Sequence, residues 1–541
     1  VSRRHHDLTP RALRDRWTAL GLYPGKDVFT AFTEQARRAP DRTAVADEDG
    51  NTTYATLLTR SLNLAGTLRK AGVRQGDVVA VNLPNGWRAC AADLAVAALG
   101  AVVLPYPVGR KRRETLSLLR RSGARAAIVT RRVGGTDYAA LVDELRPELP
   151  ALEAVFVHDG APPGTLPLDE ALTGGAPPGE LPEVDPGGPA RIMASSGSEA
   201  EPKLVLYSHD ALVGGQTPYL TELGDDGAGN PPRFLFCVPL SSPFGSFGTP
   251  CTLAAMGATL VTVDRFDPAA TVAAVRAHRP SHVFLSPAIL ERLLTADGAD
   301  RETFAPVRAI VCGGAHVHAE TIRRCEETFG VVFVHSYGSA DGICCHTALD
   351  DDFATKTDTA GRPDPRVVEV RVADEADEAL PAGAPGEIHA RGPMSPLCYL
   401  GAPELDGRYR TADGWVRTGD LGFLDADGRL HITGRKKDVI NRGGYKISVA
   451  ELEEALHQHP DVRSAAVLGA PDERLGERVL ACVVLRDAAG GLDLAGLCRH
   501  LRDRAGLDSG KLPERLAVLP EFPLTPAGKV DKRALRSLVL P

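Results

Sequence analysis

Between residues 258 and 338, short apolar runs alternate with longer stretches whose apolar positions recur every three or four residues. The runs 258–263, 282–285, 309–311 and 331–335 read as strands, and 268–278, 287–294 and 319–329 read as helices. In 319–329, Ala319, Ile322, Cys325 and Phe329 fall on one face. Glu320 with Arg324, and Arg323 with Glu327, are spaced to pair on the other. The same rhythm runs from 29 to 157, with strands over 78–82, 101–104 and 126–129 and a helix over 88–99. Repeated βα units predict parallel sheets covered by helices.

The pattern then breaks. Residues 160–189 are rich in Pro and Gly and read as a loop or connection between subdomains. From 363 to 433 the chain reads as strands and turns, a smaller β unit. Past the charged junction GRKKD (434–438), an α+β pattern begins. Its helix starts near Val449, where Ser448 can cap and Glu451 holds the capping-box position. The segments SAAVLGA and RVLACVVL read as its strands.

Composition narrows the function. With 541 residues, three to four structural units are expected. A net charge of −8 argues against a protein that holds nucleic acid by bulk charge. The ten cysteines are scattered without a Cys-x-x-Cys pair. Adjacent Cys344 and Cys345 suit neither a zinc site nor an ordinary disulfide, so reduced thiols and a cytoplasmic protein are expected. The polar start, 1–7, gives no secretory signal. The most apolar stretch, 89–108, contains Asp93, Pro105 and Pro107, so a buried helix and strand are expected there rather than a membrane span. Lysine is rare, 11 against 51 arginines, yet six of the lysines lie within 436–541.

The stretch SSGSEAEPK (195–203) follows an apolar strand. Its small side chains let backbone N–H groups approach a polyphosphate, its hydroxyls donate, and Lys203 adds charge. It is not a Walker loop. Further on come VCGGA (311–315), YGSAD (337–341), GEIHARGP (386–393), the long run 411–448 containing RTGD and GRKKD, and PLTPAGKVDKRAL (523–535). In order and spacing these six motifs resemble the adenylate-forming ligase superfamily, which holds acyl-CoA synthetases, peptide-synthetase adenylation domains and oxidising luciferases. The resemblance covers about residues 28–536. CVPLSSP (237–243), KLVLYSH (203–209) and INRGGYKIS (440–448) look most like stand-alone aryl-acid adenylating enzymes, those for 2,3-dihydroxybenzoate in particular.

The resemblance implies a set of roles. Ser195, Ser196, Gly197, Ser198 and Lys203 would hold the ATP phosphates. Gly313, Gly314 and Ala315 would form the turn against adenine, with Tyr337 stacked on the base and Gly338 beside it. Asp420 would hold the ribose hydroxyls, Arg435 the ribose and phosphate region, and Asp341 an Mg²⁺ ion, where the family usually has Glu. Lys529 would contact both the substrate carboxylate and the α-phosphate and so carry catalysis. Lys437 would be the hinge, and Gly443 and Gly444 the loop that later meets the thiol-bearing arm. Phe236, Cys237, Ser242, Val311, Ser336, Cys344 and Cys345 would line the acid pocket. Amino-acid-activating relatives place Asp at the Cys237 position, and a thiol supplies no counter-charge for an ammonium group. A neutral aryl or hydrophobic acid is therefore expected.

The fold expected is α/β. A large N-terminal ATP- and acid-binding domain (1–434) would comprise two βα-layered subdomains and a small β-barrel-like one, at roughly 1–185, 186–345 and 346–434. A hinge at 435–438 would lead to a small mobile α+β domain, 439–541, carrying Lys529. The activity expected is ATP-dependent formation of acyl-AMP with release of pyrophosphate. Transfer would follow to the phosphopantetheine thiol of CoA or of a separate carrier protein. Two alternatives stay open. One is an acyl-AMP ligase that serves an amine or another nucleophile. The other is a nucleotide-binding homologue with impaired catalysis, motivated by Glu199, Ala200 and Asp341. GLDSG (506–510) resembles a carrier attachment site, but only 32 residues follow Ser509, too few for a carrier bundle, so it reads as a loop.

Overall fold

The computed structural model describes residues 7–195, 202–315, 317–436, 438–443, 445–472, 474–486, 491–525 and 529–540. Ser196, Gly197, Ser198, Glu199, Ala200, Lys437 and Gly444 lie outside the described residues.

Among the described residues, two eight-stranded sheets form the large body. One runs in the order Ile343–His346, Val332–Ser339, Ala309–Gly313, His282–Leu285, Arg233–Phe236, Thr259–Thr262, Thr43–Asp47, Gly50–Thr53. Its six inner strands are parallel, and each edge strand is antiparallel. The other runs Cys398–Tyr399, Leu204–Ser208, Pro189–Ala194, Val102–Pro105, Val78–Asn82, Ala126–Thr130, Ala154–His158, Leu166–Pro167. Period-two alternation sorts its side chains to both faces. Val79, Val81 and Ile128 join the main core, while Val78, Ala80 and Val129 join a second one. Burial on both faces explains the near-continuous apolar runs.

The expected cut at 185 does not separate these sheets. Strands Thr43–Asp47 and Gly50–Thr53 belong with 233–346, and Pro189–Ala194 and Leu204–Ser208 belong with 78–167. Each sheet edge carries unpaired N–H and C=O groups that any strand can satisfy, so chain proximity does not decide the partner. The 160–189 segment is likewise not all loop. Its LDEALT forms the short helix Leu168–Thr173, which buries Leu168, Ala171 and Leu172. The helix Ala319–Phe329 forms as expected and buries Ile322, Cys325 and Phe329. Its ion pairs differ: Arg323 bonds Glu320 at 2.8 Å, and Arg324 reaches Glu291 on a neighbouring helix at 3.2 Å.

Strands Glu369–Ala373, Gly386–Arg391, Val416–Leu424 and Leu430–Arg435 pair antiparallel in that order. They form an open sheet rather than the barrel-like unit expected, since no ladder among the described residues joins its two outer strands. The C-terminal segment makes a five-stranded sheet from Tyr445–Ser448, Val439–Arg442, Gly476–Leu485, Val462–Asp472 and Arg515–Val518. It has its own core, including Ile447, Leu452, Leu456, Val483 and Leu497. Ser448 caps the helix Val449–His457 by accepting from the Glu451 N–H. The reciprocal half of the capping box is absent, because Lys511 holds the Glu451 carboxylate at 2.6 and 2.8 Å. Residues 509–511 form a single 3₁₀ turn capped by Asp508. Among the described residues, no helix is long and apolar enough to cross a membrane.

Candidate active site

A cleft of about 2750 Å³ lies where the large body, the open antiparallel sheet and the C-terminal unit meet. Strands Ala309–Gly313 and Val332–Ser339 end at it, the place where parallel sheets collect ligands. Gly313 pairs with Ser336 across these strands, and a Cβ on Gly313 would lie 2.5 Å from the Ser336 carbonyl oxygen. Gly314 follows at φ +97°, in the left-handed region. Ala315 and Gly338 also line the cleft.

Three expected nucleotide residues form one connected group. The Tyr337 hydroxyl donates to Asp420 Oδ2 at 2.6 Å, and Arg435 Nε meets Asp420 Oδ1 at 2.8 Å. Asp420 and Arg435 face each other across the antiparallel ladder, which fixes their register. Asp420 is 2% exposed, so its charge depends on these donors. Burial, and then the Asp420 charge, hold the Tyr337 phenol well above its ordinary pKa, so it stays a donor.

Beside this group, Lys203 and Asp341 are both buried and ion-paired, with Nζ 3.3 Å from Oδ1. Ser195 braces the start of the phosphate stretch: its N–H donates to the Lys203 carbonyl at 3.0 Å, and its hydroxyl accepts from the Lys203 N–H at 3.3 Å.

Lys529 comes from the C-terminal unit and reaches the same place. Its Cε lies 3.0 Å from where a Cβ on Gly314 would stand, so the absence of a side chain at 314 makes the room. The Thr525 N–H donates to the Lys529 carbonyl at 2.7 Å, and the Lys529 N–H donates to the Thr525 hydroxyl at 3.2 Å. Burial first, and Arg435 second, push the Lys529 ammonium down to about 8, with Asp420 opposing.

Side chains across the junction hold the C-terminal unit there. His318 Nδ1 lies 2.8 Å from Glu454 Oε2, and the His318 ring stacks on His457 at 3.7 Å. Lys436 Nζ meets Glu387 Oε2 at 2.8 Å, and the Ser448 hydroxyl donates to the Thr433 carbonyl at 3.1 Å. Removing His318 and Glu454 together (His318→Ala with Glu454→Ala) is expected to slow any Lys529-dependent step by about tenfold, with the two single changes non-additive. The KM for nucleotide should stay within twofold. Steady-state kinetics of the three variants check this, and strictly additive losses would sink it.

Three of the seven residues expected at the acid pocket reach the cleft. Ser242, Ser336 and Cys344 line the cleft, whereas Phe236, Cys237, Val311 and Cys345 do not. Phe236 instead stacks on Phe284 at 4.5 Å inside the core, and Cys237, Val311 and Cys345 are buried among strands. The period of two explains Cys345, since next-door residues on a strand point to opposite faces. Met193, Gln216, Phe244, Phe247 and Ile343 line the cleft and were missed. Phe244 directly follows CVPLSSP and was within reach of motif reasoning. Gln216 and Phe247 lie in stretches without a motif. Burial pushes the Cys344 thiol up to about 12, so it is neutral. Gly443, at φ +59°, sits in the turn after Val439–Arg442 and does not line the cleft in this arrangement.

The AMP-binding enzyme family profile matches residues 32–400, and the profile of its C-terminal domain matches 451–529. The chain is 35% identical to Triostin synthetase I of Streptomyces triostinicus over 98% of each chain. It is 33% identical to a salicyl-AMP ligase / salicyl-S-ArCP synthetase of Mycobacterium tuberculosis over 96% of this chain and 92% of that one. The structure of an amide bond synthetase from Marinactinospora thermotolerans superposes with a TM-score of 0.82 at 30% identity, covering 95% of this chain and all of that one (100%).

Proposed function

The chain belongs to the AMP-binding, adenylate-forming enzyme family, and from that premise we propose that it activates a neutral aryl acid with ATP. The observation that carries this reading is one convergence. Lys529 stands at Gly314, in one cleft with the Asp420–Tyr337–Arg435 group and with a lining of Ser, Cys, Met, Gln and Phe side chains.

An oxygen of the substrate carboxylate attacks the α-phosphorus of ATP. The bond from that phosphorus to the bridging oxygen breaks, and pyrophosphate leaves with the electron pair. Asp420 accepts hydrogen bonds from the ribose hydroxyls, and Arg435 fixes the Asp420 carboxylate for that task. Gly313 and Gly314 form the turn against the flat base, with Tyr337 stacked on it. Lys529 brings a compact positive charge between two anions and onto the oxygens whose charge grows at the five-coordinate transition state. The family implies ATP with Mg²⁺, which supplies charge neutralisation on the phosphates. The Asp341 carboxylate oxygens are already taken up by Lys203, Tyr399 and Ser339. Among the described residues, no group of three or more His, Cys, Asp or Glu could hold a metal. Among the described residues, Asp341 thus offers Mg²⁺ no open position, and no step here depends on one.

The acyl group then passes to a thiol, of CoA or of a separate carrier protein. In this reading, residues 439–541 move as a unit about 435–438 after acyl-AMP forms, which their separate core supports. The turn holding Gly443 then replaces Lys529 at the cleft. A second reading, transfer to an amine, is favoured by the 30% identity to an amide bond synthetase. A cytoplasmic location goes with the proposal, supported by ten cysteines of which no two form a disulfide.

Pyrophosphate exchange across a broad acid library tests the activation step, with neutral aryl acids expected to lead. Charged amino acids outrunning every neutral acid would overturn the substrate class. The winning acid is then offered CoA, carrier proteins and amines. The pH profile is a separate check. The active form of Lys529 is the protonated one, so kcat/KM for activation should be level below about 8 and fall tenfold per pH unit above it. Bound anions favour the ammonium, so the fall in kcat itself should come at higher pH.

A further inference from the structure

We infer that Asp341 is a positioning residue for Lys203 rather than a ligand of the metal that accompanies ATP. The inference rests on the proposal that the cleft binds ATP, and it concerns how this chain meets the phosphates. An ionised carboxylate has about four lone-pair sites. Asp341 Oδ1 accepts from the Tyr399 hydroxyl at 2.7 Å and from Lys203 Nζ at 3.3 Å. Its Oδ2 accepts from Lys203 Nζ at 3.4 Å and from the Ser339 hydroxyl at 3.3 Å. No site is left for an Mg²⁺ ion, which demands close oxygen contacts in octahedral geometry.

The surroundings are built to keep this arrangement. Asp341 and Lys203 are each 8% exposed. The ammonium also lies 3.7 Å from the centre of the Tyr409 ring and 5.1 Å from that of Tyr399. Behind the carboxylate, the Tyr207 hydroxyl donates to the Ala340 carbonyl at 2.8 Å and fixes the backbone. Turning Asp341 toward a metal would leave a buried ammonium without its counter-ion, which is costly. The usual Glu at this position has one more methylene to reach outward; the shorter Asp does not. Asp341 therefore keeps Lys203 aimed until phosphate oxygens arrive to share it.

The test is equilibrium binding of ATP by calorimetry, without acid substrate, once in Mg²⁺ and once in EDTA. The readout is the ratio of the two Kd values. Asp341→Asn should shift both values by the same factor and leave the ratio within twofold of the parent. In a Lys203→Met background, the added Asp341→Asn change should move neither Kd by more than twofold. Tyr399→Phe keeps the ring and frees one carboxylate lone pair, so it guards against a variant that fails to fold; its ratio should also be unchanged. A parent ratio near one supports the assignment as well. The inference is overturned if Asp341→Asn collapses the ratio, if it still does so with Lys203→Met, or if Tyr399→Phe enlarges the ratio. Failure of the parent to bind ATP in either medium would instead remove the functional proposal itself.

Discussion

Replacing Lys529 with Ala lowers acyl-AMP formation by about 10²–10³-fold, the usual consequence of removing one preorganised charge from a transition state. ATP binding should weaken by less than about fivefold, because Asp420, Tyr337 and Arg435 form their group independently of the C-terminal unit. The fold should survive, since Lys529 packs against Gly314 at the cleft and belongs to none of the cores. Lys529→Arg should not rescue activity. The guanidinium is wider than an ammonium, and the Lys529 Cε already approaches within 3.0 Å of the Cβ position at 314. Pyrophosphate exchange measures the chemical step and calorimetry the binding. Full activity in the Ala variant would dismiss Lys529 as the group that acts, and an equal collapse of ATP affinity would make it a binding residue only.

Asp420→Ala is expected to weaken ATP binding by about a hundredfold. Two hydrogen bonds from ribose hydroxyls to a charged acceptor are worth about 1.5 kcal/mol each at the low end, or about 3 kcal/mol together. That is about two factors of ten in Kd. Stability should fall less, because the partner Arg435 is half exposed and water can take over its guanidinium. Asp420→Asn keeps one acceptor oxygen and the same volume, so its loss should be smaller. Thermal melting separates the two effects: an unchanged Kd with a large drop in Tm would reduce Asp420 to a structural role.

The contrast between these residues and the acid wall shows what the sequence carries. Helices Pro268–His278 and Ala319–Phe329 were legible to the residue, because periodicity and end signals coincide in them. That Tyr337, Asp420 and Arg435 lie together was legible because each sits in a short motif whose spacing places it beside its partners. Asp420 and Arg435 lie far enough apart in the chain to pair across a hairpin, and they do. The apolar wall of the cleft depends on which face of each strand turns to it, and on where irregular turns such as the 3₁₀ turn Gly245–Phe247 fall. Motif positions alone put Phe236 and Cys345 on the wrong side. The Lys203–Asp341 pair joins residues 138 apart in the chain, and nothing local announces it. The strand exchange between the two large sheets was hidden for the same reason.

That exchange bears on how the protein is made. The strand Thr43–Asp47 pairs with Thr259–Thr262, which leaves the ribosome about 200 residues later. At roughly 5–20 residues per second, the early strand waits on the order of ten to forty seconds for its parallel neighbour. In the other sheet, Leu204–Ser208 waits nearly as long for its edge neighbour Cys398–Tyr399. The first sheet cannot close as it emerges, so its early strand Thr43–Asp47 keeps an unpaired apolar edge until Thr259–Thr262 has been made. Yield in a foreign host should therefore depend more on growth temperature and chaperone supply than on the stability of the finished fold.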